Sequence, residues 1–219
     1  MGNVDEIIRG LEAFFGVPVR GVTKDPLSEL IFTILSQNTT DSNRDRAYER
    51  LKNRFPRWED VVPADASQIE EAIRVGGLGS QKSKRIKAIL ADIEQRTGRL
   101  SLDYLAELGP EEARRALLSF VGVGNKTAAI VLLFSLGMPA FPVDTHILRV
   151  TRRLGLIPPK ADAAAAHEIL GSAIPPEKYY PTHLNLIRLG RTICRPRSPR
   201  CPECPLLTLC PFGQALLNR

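Results

Sequence analysis

The chain has 219 residues, with 30 Lys and Arg against 24 Asp and Glu, a net charge of +6. At this length folding buries roughly 70% of the extended-chain surface, so one large or two small domains form without a metal or disulfide to hold them. The cationic excess favours a polyanionic partner, and a bilayer span is excluded because the longest apolar run, Ala128 to Leu136, falls short of the ~20 residues a membrane helix needs.

No charged-then-apolar amino terminus is present, which predicts a cytoplasmic protein. The spacing of Val4, Ile7, Ile8, Leu11, Phe14 and Phe15 predicts an amphipathic helix capped by Asn3. After a linker to Lys24, Asp25-Pro26 opens a second helix in cap-then-proline order, with Leu27, Leu30, Ile31, Ile34 and Leu35 on its buried face. That helix runs into Ser36-Gln37-Asn38-Thr39-Thr40-Asp41, a polar connection with Asp41 as the next cap. Asp41 to Phe55 forms a third helix, and Trp58 packs against its end. Ile69, Ala72, Ile73 and Val75 form a fourth, stopped by Gly76-Gly77.

Leu78 stands between glycines in the next turn. It reads either as a hydrophobic contact under the helix cap or as a wedge pushed into a base stack. Lys82, Lys84, Arg85 and Lys87 place four cations in six residues near the start of the following helix, against its dipole, and read as a phosphate-facing strip. Leu102, Leu105 and Leu108 make a short helix, and Gly109-Pro110 begins the next.

Two apolar helical runs, Ala113 to Phe120 and Thr127 to Leu136, are joined by a glycine hinge. Gly122 and Gly124 can take positive φ and carry no Cβ, so this turn can press its N–H groups on a phosphate. Lys126, in the first turn of the second run, is misplaced for helix stability by roughly 0.3–1 kcal/mol. It reads as a phosphate ligand, an activated amine nucleophile, or a solvated side chain. The helix from Asn125 to Leu136 rises about 18 Å, and Gly137 to Val143 spans up to about 23 Å extended, so the chain can return Asp144 beside Lys126. Asp144 precedes the periodic run Ile147, Leu148, Val150, Thr151 and Leu154 and also suits an N-cap. Pro158-Pro159 break the chain, and Ala163 to Leu170 and Tyr179 to Ile193 are the last expected helices. Strand-like alternation is absent, so the predicted class is all-α with about ten helices.

Cys194, Cys201, Cys204 and Cys210 form a C-x6-C-x2-C-x5-C array. A disulfide framework needs an oxidising compartment, zinc usually takes two close cysteine pairs, and an iron-sulfur cluster takes four thiolates at irregular spacing. Arg195, Arg197 and Arg200 alternate with Pro196 and Pro199 between the first two cysteines, either to meet phosphates or to balance a thiolate cluster. His146, His167 and His183 are too scattered to suggest a site.

Val121-Gly122-Val123-Gly124-x-Lys126-Thr127-Ala128, followed by Val143-Asp144-Thr145-His146 and Arg149-Val150, resembles the helix-hairpin-helix and catalytic aspartate of the endonuclease III family of DNA glycosylases. The cysteine spacing matches that family's C-terminal four-iron four-sulfur loop, and the resemblance covers nearly the whole chain. It implies a two-lobed helix-hairpin-helix DNA glycosylase fold. A six-helix domain would span 24–141, and a discontinuous iron-sulfur cluster domain 1–23 and 142–219, with Lys126 and Asp144 in the cleft between them. It implies a base-excision repair glycosylase with AP lyase activity that removes oxidised pyrimidines through a lysine Schiff base and β-elimination. One structural four-iron four-sulfur cluster would sit on Cys194, Cys201, Cys204 and Cys210. The partner would be double-stranded DNA containing a damaged base or abasic site, bound by a monomer with no membrane association. DNA contacts are expected from Gln37, Asn38, Leu78, Lys82, Lys84, Gly122, Val123, Gly124, Asn125, Thr127 and Thr145, with Gln37 or Asn38 filling the space of the extruded nucleotide. Three positions depart from the family pattern: Val121 stands where proline is common, Asn125 where arginine is common, and Gly79 where tyrosine is usual. The competing readings are a monofunctional glycosylase of the same superfamily, a non-catalytic helix-hairpin-helix DNA-binding protein, and a zinc-dependent structural protein.

Overall fold

A computed structural model describes residues 3–218, and among them eleven α-helices and no strand are formed. The class is all-α, as the absence of period-two patterning predicts. The chain divides into two compact units, Thr23–Met138 and Met1–Val22 with Pro139–Arg219. The outermost residues of the expected discontinuous domain, 1, 2 and 219, lie outside the described residues.

The unit Thr23–Met138 is built around α2 (Pro26–Leu35), whose N-cap Asp25 accepts from the Ser28 N–H at 2.8 Å. All of its residues except Phe32 are buried, because it packs against α3 (Asp41–Arg54), α5 (Gly79–Thr97) and α7 (Asn125–Ile130) at once. The cap of α3 is Thr40 rather than Asp41: the Thr40 hydroxyl accepts from the Asn43 N–H at 3.3 Å, and Asp41 pairs with Arg44 instead. Trp58 seals α2 against α3, donating to Ser28 Oγ at 3.3 Å with Lys52 Nζ 4.2 Å from its ring centroid. Next, α4 (Ala66–Ile73) tightens into a 3-10 turn, Arg74–Gly76, and packs along α5. The short leucine-rich element is a 3-10 turn, Asp103–Glu107, leading to α6 (Pro110–Leu118). The long helix expected after the hairpin is interrupted. Following α7, Val131–Ser135 widens into a π-helix, with the Leu136 N–H reaching back to the Val131 carbonyl at 3.3 Å.

Burial raises the carboxyl of Glu29 on α2 above its usual range, with Lys24, the Thr33 hydroxyl and Arg44 opposing the shift and Asp25 adding to it. A raised carboxyl binds its proton more tightly folded than unfolded. Stability therefore falls as pH climbs from about 4.5 through the folded value, and the deficit remains at neutral pH. Glu29→Gln is expected to melt at a higher temperature than the parent at pH 7, with the gap closing below pH 4.5; pH-resolved thermal melts check both.

The second unit contains α1 (Val4–Phe15), α8 (Thr145–Arg153), α9 (Ala163–Ala173), α10 (Tyr179–Thr192) and α11 (Pro211–Leu217). Here α10 packs on both α1 and α8. The buried Asn185 amide ties α10 to the end of α1 by donating to Gly16 O at 2.9 Å, and Lys178 meets Glu12 at 2.8 Å. The final helix, α11, has no counterpart in the sequence reading. Pro211 supplies its first residue, and the sulfur of Cys210 accepts from the Gly213 N–H at 3.3 Å as its cap.

Candidate functional site

In the unit Thr23–Met138, α6, the turn from Ser119 to Gly124 and α7 form a helical hairpin. Gly122 takes φ +74°, a conformation that demands glycine, and a Cβ there would lie 2.0 Å from Arg85 Nε and push that side chain aside. Gly124 corrects the expectation of positive φ: it is the extended N-cap of α7 at φ −104°. Nothing lies within 4 Å of where a Cβ would stand, so the surface beside it is open. The N–H groups of Asn125, Lys126 and Thr127 therefore begin α7 without intrahelical acceptors behind an unobstructed backbone. Lys126 is exposed beside them.

Three expected DNA contacts in this unit are revised. Val123 has a buried side chain, and its N–H is donated to Phe120 O at 3.1 Å. Thr127 has a buried side chain, which leaves only its backbone N–H to offer. Lys82 is withdrawn from the phosphate-facing strip: it is 1% exposed, and its ammonium donates to Leu35 O at 2.8 Å and Gly76 O at 2.9 Å. Lys84 is exposed. Lys87 is turned inward onto the Ala64 carbonyl. Arg85 donates to Gln37 Oε1 at 2.6 Å while lying against Gly122, so it joins the polar turn after α2 to the hairpin. Asn125 Oδ1 accepts from Arg114 Nη2 at 3.0 Å, which brings a guanidinium from α6 to the position where the family usually carries arginine.

Leu78 and Asn38 are the two non-glycine residues with left-handed φ in this unit, each at 51°. For leucine that conformation costs roughly 1–2 kcal/mol, yet the side chain is 49% exposed and recovers little burial in return. Asn38 is also exposed, whereas the Gln37 amide is occupied by Arg85.

In the second unit, Asp144 is the N-cap of α8, its Oδ1 accepting from the Ile147 N–H at 2.8 Å, with Thr145 exposed at the first helical position. The approach to Asp144 is held by two histidines whose role the sequence did not signal. His167 Nδ1 lies 2.9 Å from Phe141 O and His183 Nδ1 lies 3.0 Å from Pro142 O, so in each ring Nδ1 carries the proton. His146 has the opposite tautomer. Arg149 Nη2 lies 3.2 Å from its Nδ1, and because a guanidinium only donates, that nitrogen accepts.

The four cysteines are free thiols lining one partly open pocket with Ile193, Pro199 and Phe212. Among the described residues no group of three or more His, Cys, Asp or Glu side chains is drawn together tightly enough to hold a single ion. Four soft donors spread around an apolar pocket suit a polynuclear iron-sulfur group. Burial pushes Cys204 up to about 11 and raises Cys210 as well, so these thiols must lose protons when they ligate. Arg153 organises the loop, donating to Cys194 Sγ at 3.3 Å and Arg195 O at 2.8 Å, with its guanidinium 4.3 Å from the Phe212 ring centroid.

A family profile described as HhH-GPD superfamily base excision DNA repair protein matches residues 31–176, the stretch that holds the hairpin, Lys126 and Asp144. A protein of Arabidopsis thaliana carrying a DNA glycosylase name is 43% identical over 168 residues, 77% of this chain; those residues span 57% of that relative's length. Endonuclease III of Bacillus subtilis is 35% identical over 193 residues, 88% of this chain and 84% of its own. A solved structure titled as a trapped endonuclease III–DNA covalent intermediate superposes with a TM-score of 0.85 at 29% identity, covering 99% of this chain and 100% of its own. The chain belongs to the endonuclease III family of the HhH-GPD superfamily. No helix among the described residues is long and apolar enough to cross a membrane.

Proposed function

We propose that the protein is a base-excision DNA glycosylase with AP lyase activity that removes oxidised pyrimidines from double-stranded DNA. The observation that carries this reading is the exposed Lys126 in the first turn of α7, beside the unobstructed N–H groups of the hairpin. Those groups and Gly122 and Gly124 would hold a phosphate, with Lys84 and Thr145 adding contacts from exposed positions. The lesion would leave the duplex, Leu78 and Asn38 entering the stack; Asn38 is preferred over Gln37 because Arg85 occupies the Gln37 amide. The neutral Lys126 amine would attack C1′ as the bond to the base breaks, and loss of a proton from nitrogen with ring opening would give the Schiff base. Removal of a C2′ proton would then expel the 3′ phosphate by β-elimination. Asp144, with one oxygen committed to the Ile147 N–H, would use the other to take the amine's proton and to offset positive charge on the sugar. That one similar structure is titled a covalent intermediate supports the same chemistry here.

The unit Thr23–Met138 would serve as the six-helix DNA-gripping domain, and the other unit as the cluster domain. Cys194, Cys201, Cys204 and Cys210 would hold one four-iron four-sulfur cluster, which supplies cross-linking of the loop. We expect Cys204→Ser to lose visible absorbance and bound iron and to melt at lower temperature, as visible spectra, iron analysis and calorimetry would show. The protein would act as a monomer on DNA in the cytoplasm or nucleoid.

Borohydride should crosslink the protein to DNA bearing an abasic site or thymine glycol, and duplexes carrying uracil or mismatched adenine should be poorer substrates. Base release without a crosslink would make the enzyme monofunctional. Neither outcome on any lesion would leave a binding module.

A further inference from the structure

Lys82 is a cation in the opening turns of α5, where the helix dipole opposes it, and it is among the largest fully buried side chains in the protein. Burying an ammonium without a carboxylate is costly, so its surroundings must compensate. They do so with the negative ends of two other helical segments. Leu35 is the last residue of α2, and Gly76 ends the 3-10 turn that follows α4; the ammonium takes a carbonyl from each. Burial and the neighbouring Arg85 both push its proton affinity below the usual lysine value, consistent with an enclosed cation.

These two carbonyls stand at the roots of the two strained turns. Asn38 follows Leu35 by three residues, and Leu78 follows Gly76 by two. The turns are themselves neighbours, since a Cβ on Gly77 would stand 4.0 Å from Asn38 O. Arg85 lies on the same face of α5, three residues on, and fastens Gln37.

We propose that Lys82 is a positioning residue that clamps the turns bearing Asn38 and Leu78 into one rigid wedge. This rests on the proposed entry of those two side chains into the base stack. Their left-handed backbones are over-determined by the clamp, so the wedge is formed before DNA arrives and costs little ordering on binding.

The test uses the full chain and a duplex with 2-aminopurine opposite thymine glycol. The parent should raise the fluorescence as the probe loses its stacking. Lys82→Met should lose most of that rise and slow excision from the duplex roughly tenfold. Its affinity and salt dependence on undamaged duplex, and its cleavage of an abasic site in single-stranded DNA, should match the parent. In an Asn38→Gly, Leu78→Ala background, which lacks both wedge side chains, Lys82→Met should add no further loss. Lys82→Gln, which keeps a donor nitrogen but no charge, should recover part of the fluorescence and carries the test if the methionine variant does not fold. A salt slope reduced by about one would make Lys82 a phosphate contact and overturn the proposal. Equal losses on duplex and single-stranded substrates, or additive losses in the Asn38→Gly, Leu78→Ala background, would overturn it too. If Leu78→Ala is impaired and Lys82→Met is not, the clamp alone fails. If the Asn38→Gly, Leu78→Ala variant is itself unimpaired, the wedge fails and takes the clamp with it.

Discussion

Lys126→Arg should abolish the borohydride-trapped adduct, and lower single-turnover strand cleavage at an abasic site by at least roughly 10³-fold, while leaving affinity for undamaged duplex within a few-fold of the parent. Arginine keeps the charge and can hold a phosphate, but its guanidinium stays protonated and is no nucleophile. The substitution therefore separates the two roles open to a cation in the first turn of α7. Lys126→Ala should lose the adduct as well, with a salt slope lower by about one if the amine also touches phosphate. Survival of the adduct in either variant would move the covalent step to another amine. Lys126 is exposed, so neither change opens a cavity, and both variants should melt close to the parent.

Asp144→Asn is the second large effect. Asparagine caps helices about as well as aspartate, so the Ile147 N–H keeps its acceptor and α8 keeps its start. What disappears is the negative charge. Base release should fall by roughly 10²–10⁴-fold, and duplex affinity should hold or rise because a carboxylate near phosphates is gone. Asp144→Ala would confound the result by also removing a cap worth about 1 kcal/mol. Single-turnover base release and fluorescence anisotropy on the same duplex check both halves. Undiminished release by the asparagine variant would leave Asp144 as a cap alone.

The features readable from the sequence are those set by near neighbours in the chain. Asn3, Asp25 and Asp144 each cap a helix within three residues, and the recurrence of apolar positions every three to four residues marks most helical faces. What escaped depends on distant parts of the chain. Nothing local to Lys82 announces that the ends of two other helical segments will enclose it, so charge and position together suggested a surface strip. His167 and His183 take meaning from the distant carbonyls of Phe141 and Pro142. The widening at Val131–Ser135 is a change of period inside an uninterrupted apolar run, where every register looks alike. The last helix is short, and its cap is a sulfur, an acceptor outside the usual oxygen-bearing set.

The position of α8 has a mechanical consequence. It begins at the Asp144 carboxylate, and its last residue, Arg153, grips Cys194, Arg195 and Pro196. A nine-residue helix is a stiff bar roughly 13 Å long. If the loop at the far end were loosened, the bar would tilt and carry the Asp144 carboxylate with it. Under the proposed function, four sulfurs distant from the reacting sugar would govern turnover as a tuning peg governs a string.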